Sequence, residues 1–169
     1  MKQTKWFDRQ FPIIRDNGLL PTIVERLEGT GTRLFNKIER IDFMQVRVID
    51  GQWSIKKEIG HLLDLEPLWL ERAHQILNSE PSLIAADLTN KKTNETNHDD
   101  RDAIDLVTEF SKSRQRLVDL LRNIKDEDLD KVSVHPRLGT PMKVVDLAYF
   151  VAEHDDHHLA KITFLSQNV

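Results

Sequence analysis

His154 and His158 stand four residues apart in a segment that is otherwise mostly apolar, within the run His154-Asp155-Asp156-His157-His158. At about 100° per residue the two fall roughly 40° apart on a helix surface, so their imidazoles point the same way. Such a pair can converge on one cation at about 2.0 to 2.1 Å from each ring nitrogen. Two neutral imidazoles side by side on an apolar face otherwise need separate hydrogen-bond partners, or cost several kcal/mol of desolvation. A third ligand has to come from elsewhere in the chain, and His61 is the candidate. His157 lies to one side of the pair and is expected to pack or support. Asp155 and Asp156 project off the ligand face and are expected to be solvated, as is Asp64. Glu58, one turn before His61, is placed to accept from an imidazole N–H and fix its tautomer. His74, His98 and His135 have no partner at ligand spacing.

The elements that carry these residues read as helices. No convincing period-2 run appears, and four segments show helical periodicity. The first runs from about Leu20 to Ile41, with Leu20, Ile23, Val24, Leu27, Leu34, Phe35 and Ile38 on one stripe and Gly29 and Gly31 weakening it locally. Upstream, Trp6, Phe7 and Phe11 suggest a short extra helix with its aromatic side on the bundle. The second opens at Ser54, a good N-cap, and extends to about Asn78, with Pro67 expected to kink or break it beyond His61. Residues 79–100, including NKKTNETNHDD, form a long polar connection of the kind that is often functional, here able to cover a cleft. The third helix runs from about Arg101 to Ile124, with Ile104, Val107, Phe110, Leu117, Leu120, Leu121 and Ile124 inward and its charges outward. The fourth is expected to start with Thr140 as N-cap and Pro141 at its first position, placing Val144, Leu147, Phe150, Val151, Ile162 and Leu165 on the face of His154 and His158.

Composition narrows the chemistry. A chain of 169 residues suits a single domain, 1–169, which at this size buries roughly 70% of the unfolded surface. With no cysteine, thiolate sites, disulfides and a cysteine nucleophile are excluded, and any metal is held by imidazole or carboxylate. A net charge of -4 with both signs interspersed argues against a nucleic-acid or anionic-membrane footprint and for a small-molecule partner. The opening MKQTKWFDRQF lacks the apolar core of a signal peptide, and no apolar stretch reaches spanning length, so the expected location is cytoplasmic.

Trp53-Ser54-Ile55-Lys56-Lys57-Glu58-Ile59-Gly60-His61-Leu62-Leu63-Asp64 and, far downstream, His154-Asp155-Asp156-His157-His158 together resemble the two most recognisable motifs of the DinB superfamily. The likeness takes in His135-Pro136-Arg137-Leu138-Gly139-Thr140 and in outline spans Leu20 to Leu165. It implies an all-α four-helix bundle of DinB-like type, with His61, His154 and His158 holding one divalent metal, zinc or nickel foremost. It also implies a hydrolase or a transferase that uses a low-molecular-weight thiol, without selecting between them, and homodimers are common in the family; Trp6, Phe7 and Phe11 are available for such an interface. Many relatives carry Gly-Gln where this chain has Ala160-Lys161, and Lys161 falls on the ligand face one turn beyond His158. Its ammonium is expected to reach solvent or the cleft rim. The reading from a different class is a non-catalytic metal-binding helical module that acts through oligomerisation or binding.

Overall fold

The computed structural model describes residues 3–44, 46, 47 and 49–167. Four long helices dominate it: α1 (Leu20–Ile38), α2 (Ile55–Leu77), α4 (Ala103–Arg122) and α5 (Val144–Ser166), with a short α3 (Lys91–Glu95) between the second and third of them. A two-residue hairpin, β1 (Ser133–Val134) with β2 (Pro141–Met142), precedes α5 and pairs Ser133 with Met142 and Val134 with Pro141. The all-α bundle expected from periodicity is the fold. Among the described residues no helix is long and apolar enough to cross a membrane.

Each of α1 and α2 packs on both α4 and α5, so the long helices follow the order α1, α4, α2, α5 around the bundle. The core divides into two apolar clusters stacked along the bundle. Leu20 to Leu27 of α1 and Val144 to Ala152 of α5 lie in one, together with Trp69 to Ile76 of α2 and Leu117 to Leu121 of α4. Leu34 and Ile38, Leu159 to Leu165, Ile55 to Leu62 and Ala103 to Phe110 lie in the other. Thus α1 and α5 run from the first cluster to the second while α2 and α4 run back. Adjacent helices are parallel in the pairs α1/α5 and α2/α4 and antiparallel in α1/α4 and α2/α5.

Between the clusters lies a polar layer with one residue from each helix. Arg114 of α4 donates Nη2–H to Glu66 Oε1 at 2.6 Å and Nε–H to Oε2 at 2.9 Å, on α2. The same guanidinium donates to both oxygens of Asp155 on α5, and Nη1–H also reaches the Leu27 carbonyl of α1. The Thr30 hydroxyl completes the layer by donating to Asp155 Oδ2 at 2.8 Å. Asp155 is therefore fully buried rather than solvated, and Arg114 sits on the inward stripe of a helix expected to keep its charges outside. Asp156 fits the expectation better, half-exposed and paired with Arg26 and Arg33.

Other boundaries differ locally. The fourth helix begins at Val144 rather than at Thr140-Pro141, because Pro141 and Met142 pair with the strand before them; Asp146 then accepts from the Lys143 N–H at 2.9 Å and the Ile14 N–H at 2.6 Å. Pro67 does not break α2, for it lies on the exposed side, where water can satisfy the carbonyl it frees. Ile104 and Phe35 sit at the exposed margin of their stripes. Gly31 is required by packing: a Cβ there would lie 2.3 Å from Ser111 Oγ, so the glycine lets α1 approach α4. At the N-terminus a single 3-10 turn, Trp6–Asp8, replaces the expected short helix, with Trp6 and Phe11 packed on Phe150 of the same chain and Phe7 exposed.

Arg114→Met leaves Glu66 and Asp155 as buried, uncompensated carboxylates and is expected to destabilise the fold by about 3 to 5 kcal/mol in urea unfolding. Combining it with Glu66→Gln and Asp155→Asn should recover a large part of that loss; a single substitution costing under about 1 kcal/mol would show the layer to be dispensable.

Candidate metal centre

His154 and His158 lie one turn apart on the buried face of α5, and α2 brings His61 against them; all three are nearly inaccessible to solvent. Their ring centroids are 4.4 Å (His154 to His158), 4.8 Å (His61 to His158) and 5.4 Å (His61 to His154) apart. One nitrogen from each falls within 4.8 Å of the others. The Nε2 atoms of His154 and His158 are 3.2 Å apart. A tetrahedral ion at 2.0 to 2.1 Å from two nitrogens holds them about 3.3 Å apart, so the pair fits a divalent metal without rearrangement.

The surroundings set the tautomers. His158 Nδ1–H donates to Glu58 Oε2 at 2.5 Å, which leaves the Nε2 lone pair facing His154. The Thr93 hydroxyl donates to Asp64 Oδ2 at 2.9 Å, so its oxygen accepts from His61 Nδ1–H at 3.1 Å and the other nitrogen of His61 is left for the cluster. His98 Nε2 lies 2.9 Å from the same Asp64 oxygen. Glu58 thus supports His158, from another helix, as well as lying one turn from His61. Its second oxygen is 3.5 Å from Lys161 Nζ, which places Lys161 at the cleft rim over the Trp53 ring rather than free in solvent.

Burial holds the imidazoles neutral. His61 is pushed down to about 4, first by desolvation, with Glu58 and Asp64 opposing. His154 and His158 are lowered well below the usual histidine range, first by desolvation, then by His158 and His61 for His154 and by His61 and Lys161 for His158. Glu58 is raised by the same burial, with Lys161 and His61 opposing. Neutral rings are the form that binds metal.

Three supporting residues escaped sequence reasoning. The segment 79–100 is partly helical: α3 delivers Thr93, and a 3-10 turn (His98–Asp100) delivers His98 onto α2. Asp64, expected to be solvated, has its side chain almost wholly covered by these two. The available signal was Gly60, immediately before His61; a Cβ there would lie 2.3 to 2.5 Å from ring atoms of His98. His157 packs on Trp6 and His158, and His74 lies outside the site.

The imidazoles open onto a cleft of about 350 Å³ walled by Trp6, Trp53, Leu65, Trp69 and Phe150. A helical bundle with a three-histidine cluster at the floor of an apolar cleft is the class that this geometry defines. Residues 22–162 match the DinB superfamily, and the chain belongs to it. Among solved structures it is similar to YfiT from Bacillus subtilis, described as a probable metal-dependent hydrolase with an unusual four-helix bundle topology; the two share 21% identity over 94% of this chain and 92% of that one, with a TM-score of 0.78. That likeness shows the fold. Comparison with the curated proteins gives no match.

Five histidines, 61, 135, 154, 157 and 158, are held below their ordinary range, against two raised carboxylates, Glu58 and Glu66. The unfolded chain takes up protons that the folded chain refuses, so metal-free protein should be fully stable above about pH 6.5 and lose stability as pH falls from there towards 4. Each neutral histidine contributes up to about 1.4 kcal/mol per pH unit in that window. Urea midpoints measured at pH 7, 6 and 5 check this; a flat profile would show the rings to be solvated.

Proposed function

We propose that the protein is a metal-dependent enzyme in which His61, His154 and His158 hold one divalent ion, zinc or nickel, and act on a small electrophilic substrate. The observation that supports this best is the convergence of three buried, neutral imidazole nitrogens at the floor of an apolar cleft. Three neutral ligands suit a catalytic ion with an open position, whereas structural zinc sites are closed by four protein ligands. Bound there, such an ion supplies positive charge to polarise a carbonyl-type oxygen and to bring a water or a low-molecular-weight thiol to its deprotonated form near neutral pH.

The chain's own residues do the rest. Glu58 fixes His158 and Thr93 fixes His61, so that two lone pairs face one point before any ion arrives, which limits the reorganisation that binding requires. The Trp and Phe walls exclude bulk water and strengthen the electrostatics of the centre. Hydrolysis is the reading favoured for water as nucleophile, and thiol S-transfer is the same chemistry with a thiol in its place. The cleft itself favours catalysis over a purely structural role for the metal, since a bundle staple needs no 350 Å³ opening.

Untagged protein should carry about one equivalent of metal by mass spectrometry of the metal content, and His158→Ala should abolish it. Glu58→Leu is expected to weaken metal affinity about 10- to 100-fold while leaving the three ligands in place. Loaded protein should turn over activated esters or conjugate a thiol to a neutral electrophile; stoichiometric metal with neither activity would favour the non-catalytic module.

A further inference from the structure

The cleft holds a second charged region that the histidine cluster does not use. Arg72 lies on α2 three turns beyond His61 and is only 2% exposed. Its Nε–H and Nη2–H donate to the Ile84 carbonyl at 3.0 and 2.8 Å, and Nη1 lies 3.2 Å from His135 Nε2. Neither contact is anionic: Ile84 offers a carbonyl oxygen, and His135, pushed down to about 4 by burial, Arg72 and Arg137, is a neutral ring. Arg137, in the hairpin turn before α5, stacks over Phe7 and has a buried Nη2 with no hydrogen-bond partner. Both side chains line the cleft, and among the described residues no carboxylate lies within ion-pair distance of either. The carboxylate that does line the cleft, Asp87, is taken up by the Thr89 N–H and hydroxyl and the Lys91 N–H.

An unneutralised guanidinium at such depth costs several kcal/mol unless an anion meets it. Burial lowers Arg72 only to about 10, so it stays cationic at neutral pH and cannot escape the cost by losing its proton. Lys161, by contrast, already has Glu58. The Trp69 ring measures the gap between the two regions, with its centroid 5.5 Å from the His154 ring and 5.5 Å from Arg72 Cζ.

We propose that Arg72 and Arg137 form a subsite for an anionic oxyacid group, carboxylate or phosphate, held one tryptophan ring away from the three-histidine cluster. The ligand class is a small molecule with an apolar body, seated against Trp53 and Trp69, and an anionic tail. Guanidinium forks suit this group, since they offer paired N–H donors to paired oxygens. Identifying that ligand as the substrate rests on the metal-enzyme reading above; the subsite itself does not.

All three tryptophans of the chain line the cleft, so intrinsic fluorescence reports occupancy directly. Metal-free protein is titrated with 4-phenylbutyrate, with phenyl phosphate and with the neutral 4-phenylbutyramide. At least one anion should bind about tenfold or more tightly than the amide, with a preference that weakens as salt is raised. Arg137→Met, at a partly exposed position, should cut the preference severalfold, and His158→Ala should leave it intact. Equal binding of all three probes, no binding of either anion at millimolar concentration, a preference untouched by Arg137→Met, or one lost in His158→Ala would each overturn the subsite. Failure of the metal reading appears separately, as absence of stoichiometric metal, and does not alter this titration.

Discussion

The Arg114 layer is the constraint on which the rest of the bundle depends. One guanidinium satisfies two carboxylates, a carbonyl and, through Asp155, a hydroxyl, and those partners come from all the other long helices. Apolar packing above and below it is non-directional and tolerates small rotations of a helix. The ion-pair layer does not, because a turn of α5 about its axis would withdraw Asp155 from Arg114 and the Thr30 hydroxyl and leave those buried donors short of an acceptor. Asp155 is the residue after His154, so the interaction that fixes the rotation of α5 also aims His154 and His158 at His61.

A second tier works the same way closer to the site. Glu58 ties α2 to α5 through His158, while Asp64 and Thr93 tie α2 to α3 through His61 and His98. Each imidazole of this pair has one nitrogen committed to the scaffold and the other turned to the cluster. His154 has no such tether; its Nδ1 is buried without a partner, and its ring is held by contact with Trp6 and Trp69 instead. The cluster is therefore preorganised by hydrogen bonds at two of its histidines and by aromatic packing at the third.

The helical fold was legible because α1, α2 and α4 alternate apolar and polar faces cleanly, and the i, i+4 spacing announced His154 and His158. His61 was legible only through the motif around it, since its own helix position does not force it inward. Asp155 and Arg114 were not legible: periodicity assigns a charged residue to the surface by default, and only a partner on another helix reverses that assignment. Nor was the start of α5, where the strand pairing of Pro141 and Met142 outcompetes an N-cap that looks sound in isolation. The 79–100 segment is too polar for a core of its own and becomes ordered by packing on α2, a tertiary effect that no local pattern carries.

The order of the helices along the chain has a consequence for biosynthesis. During translation α1, α2 and α4 emerge well before α5, and at that stage Arg114 can reach Glu66 but not Asp155. Without α5 both apolar clusters lack the residues that α5 contributes and stay open on that side. Packing of α5 covers the two clusters, brings Asp155 to Arg114 and places His154 and His158 against His61. A nascent chain stalled before residue 154 accordingly contributes His61 alone, so the three-histidine cluster assembles only when α5 has been made.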